Sequence, residues 1–244
     1  RVGLSWLTAI AVSLVSLGLV YYLRLFLPSQ YQLPAWLPLS IYHYAPFLQI
    51  SYQSWPYAIA LMTLVAAVII TDPSRTGQTG NPRAWAALLA LTGVHLLAIT
   101  AGDPLTLIFA WMAADIIEFS TFLYMQAQAG RNDRLVSNLG LRWMSLIALM
   151  LAVVVGWQVK PAFTLAEIPG NASLLFLLAA ALRLGVLPIY LPYLTSEQLP
   201  RGIAAVSRLI PAITALTLIA HLPGEFLTLS RWLITTLHLF ALLA

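Results

Sequence analysis

The sequence predicts an all-α integral membrane protein, a single transmembrane domain over residues 1–244 with about eight membrane-spanning helices. Of the 244 residues, 61% are hydrophobic and only 8% are charged, whereas soluble domains are about one-quarter charged. The apolar residues form runs long enough to cross a hydrocarbon layer about 30 Å thick. Most basic residues lie at the ends of those runs instead of clustering on one surface, which argues against a nucleic-acid-binding protein.

The predicted spans are apolar runs interrupted by charges and by proline and glycine clusters. In chain order they cover residues 4–26, 55–70, 84–101, 104–127, 143–159, 173–194, 203–221 and 232–244. The first run is too long for a signal-peptide core and has no small-residue cleavage site, so we expect it to be retained. The last run is short for a bilayer, so we expect a partial span.

The connection between the first two spans, residues 27–54, is rich in proline and aromatic residues. Its four prolines prevent a long helix, and its tyrosines and tryptophan suit the headgroup region. We therefore expect a cover at the membrane surface. The sequence leaves open whether part of this cover re-enters the bundle.

Loop charges predict the orientation of the chain. When alternate loops are counted, seven basic residues fall on one side of the membrane and three on the other. The larger group is Arg1, Arg75, Arg83, Arg131, Arg134, Arg142 and Arg201, and the smaller is Arg24, Lys160 and Arg231. Because cytoplasmic loops carry the excess of basic residues, we expect the amino terminus in the cytoplasm, most simply of a bacterium with the chain in its plasma membrane.

Four charges lie within predicted spans: Asp115 and Glu118 in the fourth, Arg183 in the sixth and Arg208 in the seventh. A charge at membrane depth costs roughly 2.5–3.5 kcal/mol on the insertion scale, so it normally faces a partner or a hydrated cavity. Two acids and two bases predict an internal network that lines a proton path. The alternative is a set of structural salt bridges, or arginines that reach out to headgroups.

His95, midway along the third span, is a further candidate for this path, because imidazole exchanges protons near neutral pH. The alternative for His95 is a purely structural, hydrogen-bonded histidine. Three prolines predict helix breaks beside the arginines: Pro188 and Pro192 follow Arg183, and Pro211 follows Arg208. Backbone groups freed by a break must be satisfied by protein or water, so breaks favour a buried or hydrated lining.

The stretch from Arg183 to Arg208 resembles the signature of the antiporter-like subunits of respiratory complex I and of Mrp-type cation/proton antiporters. Anchored on Pro188, it keeps that proline and Pro200, and a helix start follows at 202–206. The signature lysine falls on Arg183, and the basic residue of the next helix falls near Arg208.

Residues 103–111, which run from Asp103 to Trp111, resemble the Asp-x-Leu…Trp-Glu stretch that opens the family's glutamate-bearing helix. The glutamate itself is replaced by Met112, and Asp115 lies nearly one turn further on, where it could stand in for the lost carboxylate. Tyr190 and Pro192 replace the histidine and tryptophan of the proline motif. The family continues into a second, inverted repeat where this chain ends, so the likeness is to about half of such a subunit.

The resemblance implies a non-redox membrane subunit of a proton- or cation-translocating complex, with other membrane subunits and lipid as its partners. It implies no cofactor, metal or catalytic residue, and the sequence has neither cysteine nor a phosphate-loop, zinc-protease or serine-hydrolase motif. Two alternatives remain. One is a degenerate, non-conducting scaffold, favoured by Met112 and by Arg183, which is close to a fixed cation. The other is a partner in inorganic-carbon uptake.

Overall fold

The computed structural model describes residues 2–34, 46–76, 82–126, 133–160, 163–185 and 201–223. The helices are α1 (Val2–Leu23), α2 (Trp55–Thr76), α3 (Pro82–Ile99), α4 (Pro104–Gln126), α5 (Asp133–Val159), α6 (Gly170–Leu184) and α7 (Arg201–Ala220). Two short strands, β1 (Ser29–Gln32) and β2 (Phe47–Ile50), and two 3₁₀ turns, Arg24–Phe26 and Leu165–Glu167, complete the regular structure of these residues. The predicted all-α class is confirmed.

Five helices of the described chain are long and apolar enough to cross a membrane. They cover Gly3–Phe26, Trp55–Asp72, Pro82–Ile99, Pro104–Leu123 and Arg142–Val159. Two further apolar helices, Gly170–Leu184 and Arg208–Ala220, are shorter. Each of the first seven predicted spans therefore corresponds to one helix. The eighth, 232–244, lies outside the described residues, so the total of eight stays a prediction.

Two helix ends differ most from the prediction. α5 begins at Asp133 rather than at residue 143, because a helix can continue through polar residues beyond the apolar run. α6 ends at Leu184 rather than at residue 194. The next residue, Gly185, has a φ of 72°, and its N–H caps the carbonyls of Ala181 and Leu182. Glycine is the residue that adopts this left-handed conformation without a steric penalty, so it ends the helix.

The helices pack as neighbours in sequence, α1 with α2, α3 with α4 and α5 with α6, and α7 contacts α2, α3 and α6. Two apolar cores result. One lies mainly among α1, α2, α3 and α7, with Leu61 and Ile210 fully buried. The other lies among α4, α5, α6 and α7, with Leu149 and Phe176 fully buried. Because α7 contributes to both cores, it joins the two parts of the bundle.

The described part of the loop 27–54 forms an antiparallel hairpin that is fixed to the turn between α3 and α4. β1 pairs with β2 from Ser29 opposite Ile50 to Gln32 opposite Phe47. The Gln49 N–H donates to the Thr100 carbonyl over 2.6 Å, and the Gly102 N–H donates to the Phe47 carbonyl over 3.0 Å. The prolines exclude a long helix, and these backbone bonds explain why the segment is a hairpin instead.

Asp103 connects this hairpin to α4. Its Oδ1 accepts the N–H of Thr106 over 2.9 Å, as an N-cap residue does. Its Oδ2 accepts the hydroxyl of Thr106 and, over 3.2 Å, the N–H of Phe47. Asp103 is buried, so these bonds satisfy its carboxylate away from water. The start of α4, and thus the placement of its charged residues, is tied to the hairpin.

Candidate functional site

Asp115 of α4 and Arg183 of α6 form a direct, two-point ion pair inside the bundle. Nη2 of Arg183 lies 2.7 Å from Oδ1 of Asp115, and Nη1 lies 3.1 Å from Oδ2. The Arg183 side chain is 0% exposed and the Asp115 side chain is 1% exposed. A guanidinium and a carboxylate that meet in this parallel arrangement form one of the strongest pairings available to side chains.

Arg142 of α5 extends the pair to a second carboxylate. Its Nη1 contacts Oε2 of Glu118 and reaches Oδ1 of Asp115 at 3.5 Å. Asp115 and Glu118 are three residues apart, so they share one face of α4. We refer to Asp115, Glu118, Arg142 and Arg183 as the charge cluster. Its two negative and two positive charges balance, which is the condition under which ions can be buried at moderate cost.

The sequence prediction missed Arg142 and assigned it to a cytoplasmic loop, because it precedes the apolar run at 143–159. The helix in fact begins at Asp133, so Arg142 stands within α5 and faces α4. One feature of the sequence could have indicated this position. Arg142 directly precedes the apolar run 143–159, so a helix that extends slightly beyond the run would include it.

Trp111 holds Arg183 from a second direction and was also missed. The Cζ atom of Arg183 lies 4.4 Å from the centroid of the Trp111 ring, within the range of a cation–π contact. Nη2 of Arg183 lies 3.5 Å from the Trp111 carbonyl. Trp111 is fully buried. Trp111 and Asp115 are four residues apart, so they lie on one face of α4. This spacing is the feature of the sequence that could have predicted a partner shared by the two side chains.

His95 of α3 is fully buried. Neither ring nitrogen has a hydrogen-bond partner among the described residues, so the structural, hydrogen-bonded interpretation finds no support in that part of the chain. α3, which carries His95, packs against α4 of the charge cluster.

Arg208 and the three prolines are the other predicted site residues. Arg208 lies on α7, where its side chain is exposed, as the alternative of an arginine that reaches out to headgroups requires. Pro211 lies within α7, which continues through it from Arg201 to Ala220. Pro188 and Pro192 lie outside the described residues. In the described part of the chain, no three histidine or acidic side chains come together as metal ligands.

A second ion pair lies outside the membrane-spanning helices. Lys160 contacts Glu167 just after α5, and both side chains are largely exposed. The hydrogen bond and the charge of Lys160 hold the pKa of Glu167 below its usual value. Because the folded-state pKa is lowered, this pair stabilises the fold above the usual pKa of glutamate, and the effect is lost as the pH falls through the folded-state value. Solvent screening keeps that contribution small, so Glu167 is a suitable control for the buried acids.

Comparison with known proteins establishes the fold. No protein-family model and no curated protein sequence matches the chain. Among solved structures, it is similar to a chain of the membrane-bound sulfane sulfur reductase, an archaeal respiratory membrane complex, with a TM-score of 0.68 and 17% identity. It is also similar to a chain of the Mrp complex from Dietzia sp. DQ12-45-1b, with a TM-score of 0.61 and 14% identity.

Both matches cover 89% of this chain, but only 37% of the reductase chain and 27% of the Mrp chain. At these identities the likeness is one of fold. The fold that the sequence resemblance implied is thereby confirmed.

Proposed function

We propose that this chain is a membrane subunit of a larger complex that moves protons or small cations across a bacterial plasma membrane, with its amino terminus in the cytoplasm. One observation carries the proposal: a charge cluster links three helices inside a fold shared with subunits of the sulfane sulfur reductase and Mrp complexes. The subunit contributes no redox chemistry of its own, and other membrane subunits and lipid surround it.

The two carboxylates are the groups of the cluster that can release and bind protons, because arginine keeps its proton at all physiological pH values. Arg142 contacts Glu118 and lies 3.5 Å from Asp115. A proton that arrives on Glu118 removes the charge that holds Arg142 there. Arg142 is then drawn toward Asp115, where it competes with Arg183. Protonation of Glu118 is thus coupled electrostatically to the Asp115–Arg183 pair.

Glu118→Gln is the substitution that tests this path. It keeps the size and hydrogen-bonding capacity of the side chain but removes its charge and its exchangeable proton. We expect proton flux to fall at least about tenfold, as for other positioned proton-transfer groups. The measurement uses the native complex, purified through an affinity tag on this subunit and reconstituted in liposomes that contain a pH-sensitive dye.

Glu167→Gln is the matched control, because it makes the same chemical change at an exposed glutamate outside the membrane-spanning helices. We expect this variant to conduct like the wild type. Normal flux in an assembled Glu118→Gln complex would show that the charge cluster does not lie on the path.

A non-conducting scaffold in the same kind of complex is the second candidate. It is favoured by the direct contact of both terminal nitrogens of Arg183 with both oxygens of Asp115, which is the geometry of a fixed structural pair. A scaffold predicts that substitutions in the charge cluster reduce the yield of assembled complex without changing the flux per complex.

A further inference from the structure

The end of α1 carries an exposed cation whose side chain is held in place. Arg24 directly follows α1, in the first of the two 3₁₀ turns, and is exposed. Its Cζ atom lies 5.1 Å from the centroid of the Trp55 ring, within the range of a cation–π contact. Trp55, the first residue of α2, is itself fixed, because its Nε1 donates to the Val20 carbonyl over 2.8 Å. The guanidinium therefore has a defined position where α1 and α2 meet.

The stacked guanidinium keeps its hydrogen-bonding edge for another partner. Stacking uses the flat face of the group, whereas its five N–H donors lie in the plane. Within the described ranges, no carboxylate forms an ion pair with Arg24. Lys160, which the loop count assigns to the same side of the membrane, contacts Glu167 instead. Arg24 therefore carries a positive charge that no described acidic residue neutralises.

The side on which Arg24 lies makes this charge unusual. The loop count assigns Arg24 to the side with three basic residues, against seven on the other side. Membrane proteins carry few lysines and arginines on the poorer side, because the excess belongs to the cytoplasmic loops. An arginine that is placed there, stacked on a tryptophan and not paired with an acid, favours an anion from outside the chain.

Arg24 lies where phospholipid headgroups are found. The apolar span Gly3–Phe26 ends at this point. Tyr21 and Tyr22 beside it are 61% and 55% exposed, and exposed tyrosines at the end of a span are typical of the headgroup region. Only 17% of the residues of this span are buried, against 39–44% in the four other long spans. α1 thus faces its surroundings along most of its length, and the anion available at its end is a lipid phosphate.

We propose that Arg24 and Trp55 form a binding site for the phosphate of an anionic phospholipid, whose acyl chains lie along the exposed face of α1. Val15 and Leu19 on that face are 63% and 58% exposed and provide apolar contact for the chains. A guanidinium donates two parallel hydrogen bonds to phosphate oxygens. Because the Trp55 ring already orients the guanidinium, little side-chain entropy is lost on binding. The lipid joins the least buried long span to the start of α2, whether or not the complex conducts.

Arg24→Gln tests the site. The native complex is purified through an affinity tag on this subunit, stripped of lipid in detergent and titrated with phosphatidylglycerol, and bound lipid is resolved by native mass spectrometry. Glutamine removes the charge at an exposed position, so we expect normal assembly. One phosphatidylglycerol is expected to bind at least about fivefold more weakly, which corresponds to about 1 kcal/mol for a basic residue near anionic lipid. The unfolding midpoint of the wild type is expected to rise on lipid addition, and that of the variant to rise less.

Two substitutions of Trp55 separate an oriented site from simple attraction of charges. Trp55→Leu keeps the charge of Arg24 but removes the ring, so we expect weaker binding of the same lipid. Trp55→Phe keeps an aromatic face and is expected to bind more tightly than Trp55→Leu. Lys160→Gln is the matched control, because it removes an exposed basic residue that already has an acidic partner. We expect it to bind phosphatidylglycerol like the wild type.

Three results would overturn the site. One is wild-type binding of phosphatidylglycerol to the assembled Arg24→Gln complex. Another is equally tight binding of phosphatidylcholine with the same acyl chains, because a lipid without net charge does not need the unpaired cation. The third is loss of a neighbouring subunit from the Arg24→Gln complex with no change in lipid binding, which would show that a carboxylate of a protein partner neutralises Arg24.

Discussion

Replacing Asp115 with asparagine is expected to destabilise the fold by about 3–5 kcal/mol, the typical cost of removing one partner from a buried ion pair. Asp115 faces both arginines of the charge cluster, at 2.7 Å from Arg183 and 3.5 Å from Arg142. Without its charge, two buried cations share the single carboxylate of Glu118. The loss is measured as a lower midpoint of thermal unfolding in detergent and a lower yield of folded protein.

A double substitution tests whether the cause is the unbalanced charge. Asp115→Asn combined with Arg183→Gln restores the balance, so we expect the double variant to be more stable than Asp115→Asn alone. Glu167→Gln removes a carboxylate from an exposed pair and is expected to leave the unfolding midpoint nearly unchanged. A stable Asp115→Asn variant would mean that the arginines find other partners, and the charge cluster would lose its central member.

Replacing Gly102 with alanine is expected to be the most disruptive change outside the charge cluster. A Cβ atom at this position would lie 2.1 Å from Cε2 and 2.4 Å from Cδ2 of Phe47. Hydrogen bonds to Gly102 and Asp103 fix the backbone of Phe47, so the clash can be relieved only by rotation of the buried ring within its packed surroundings. Overpacking of this kind typically costs about 1–3 kcal/mol. The measurements are the unfolding midpoint and the rate of proteolysis in the hairpin.

Gly93→Ala is the control for this prediction, because a Cβ atom at Gly93 in α3 has no neighbour within 4 Å. We expect that variant to be at least as stable as the wild type, since alanine favours the helix. Phe47→Ala removes the ring, so adding Gly102→Ala to it should have little further effect. Equal costs of Gly102→Ala in both backgrounds would exclude the ring contact as the cause.

The positions of the helices were largely predictable from the sequence, but two of their ends were not. Apolar runs predict spans well because each span must present apolar side chains over the thickness of the bilayer. The early start of α5 at Asp133 could not be read from these runs, because a helix that leaves the membrane can continue through polar residues. The hairpin was also missed, because its strands depend on backbone bonds to the distant turn at Thr100 and Gly102.

The candidate site was predictable in part. Charge balance within the spans indicated that Asp115, Glu118 and Arg183 belong to one network, and the structure places them together. The second cation of the charge cluster is Arg142 and not Arg208. Hydropathy could not distinguish these two arginines, because both lie near the ends of apolar runs. Arg142 reaches the carboxylates because α5 packs on α4 and α6. The spacing of residues within one helix does not predict how helices pack against each other.

The early end of α6 has a consequence for Arg183. This residue stands in the last turn of the helix, which Gly185 ends. The aligned peptide dipoles of a helix concentrate about half an elementary negative charge at its carboxyl-terminal carbonyls. If α6 continued to residue 194, that charge would lie far from the guanidinium. Because it ends at Leu184, the backbone supplies Arg183 with a countercharge that does not titrate, and this attraction persists when Asp115 binds a proton.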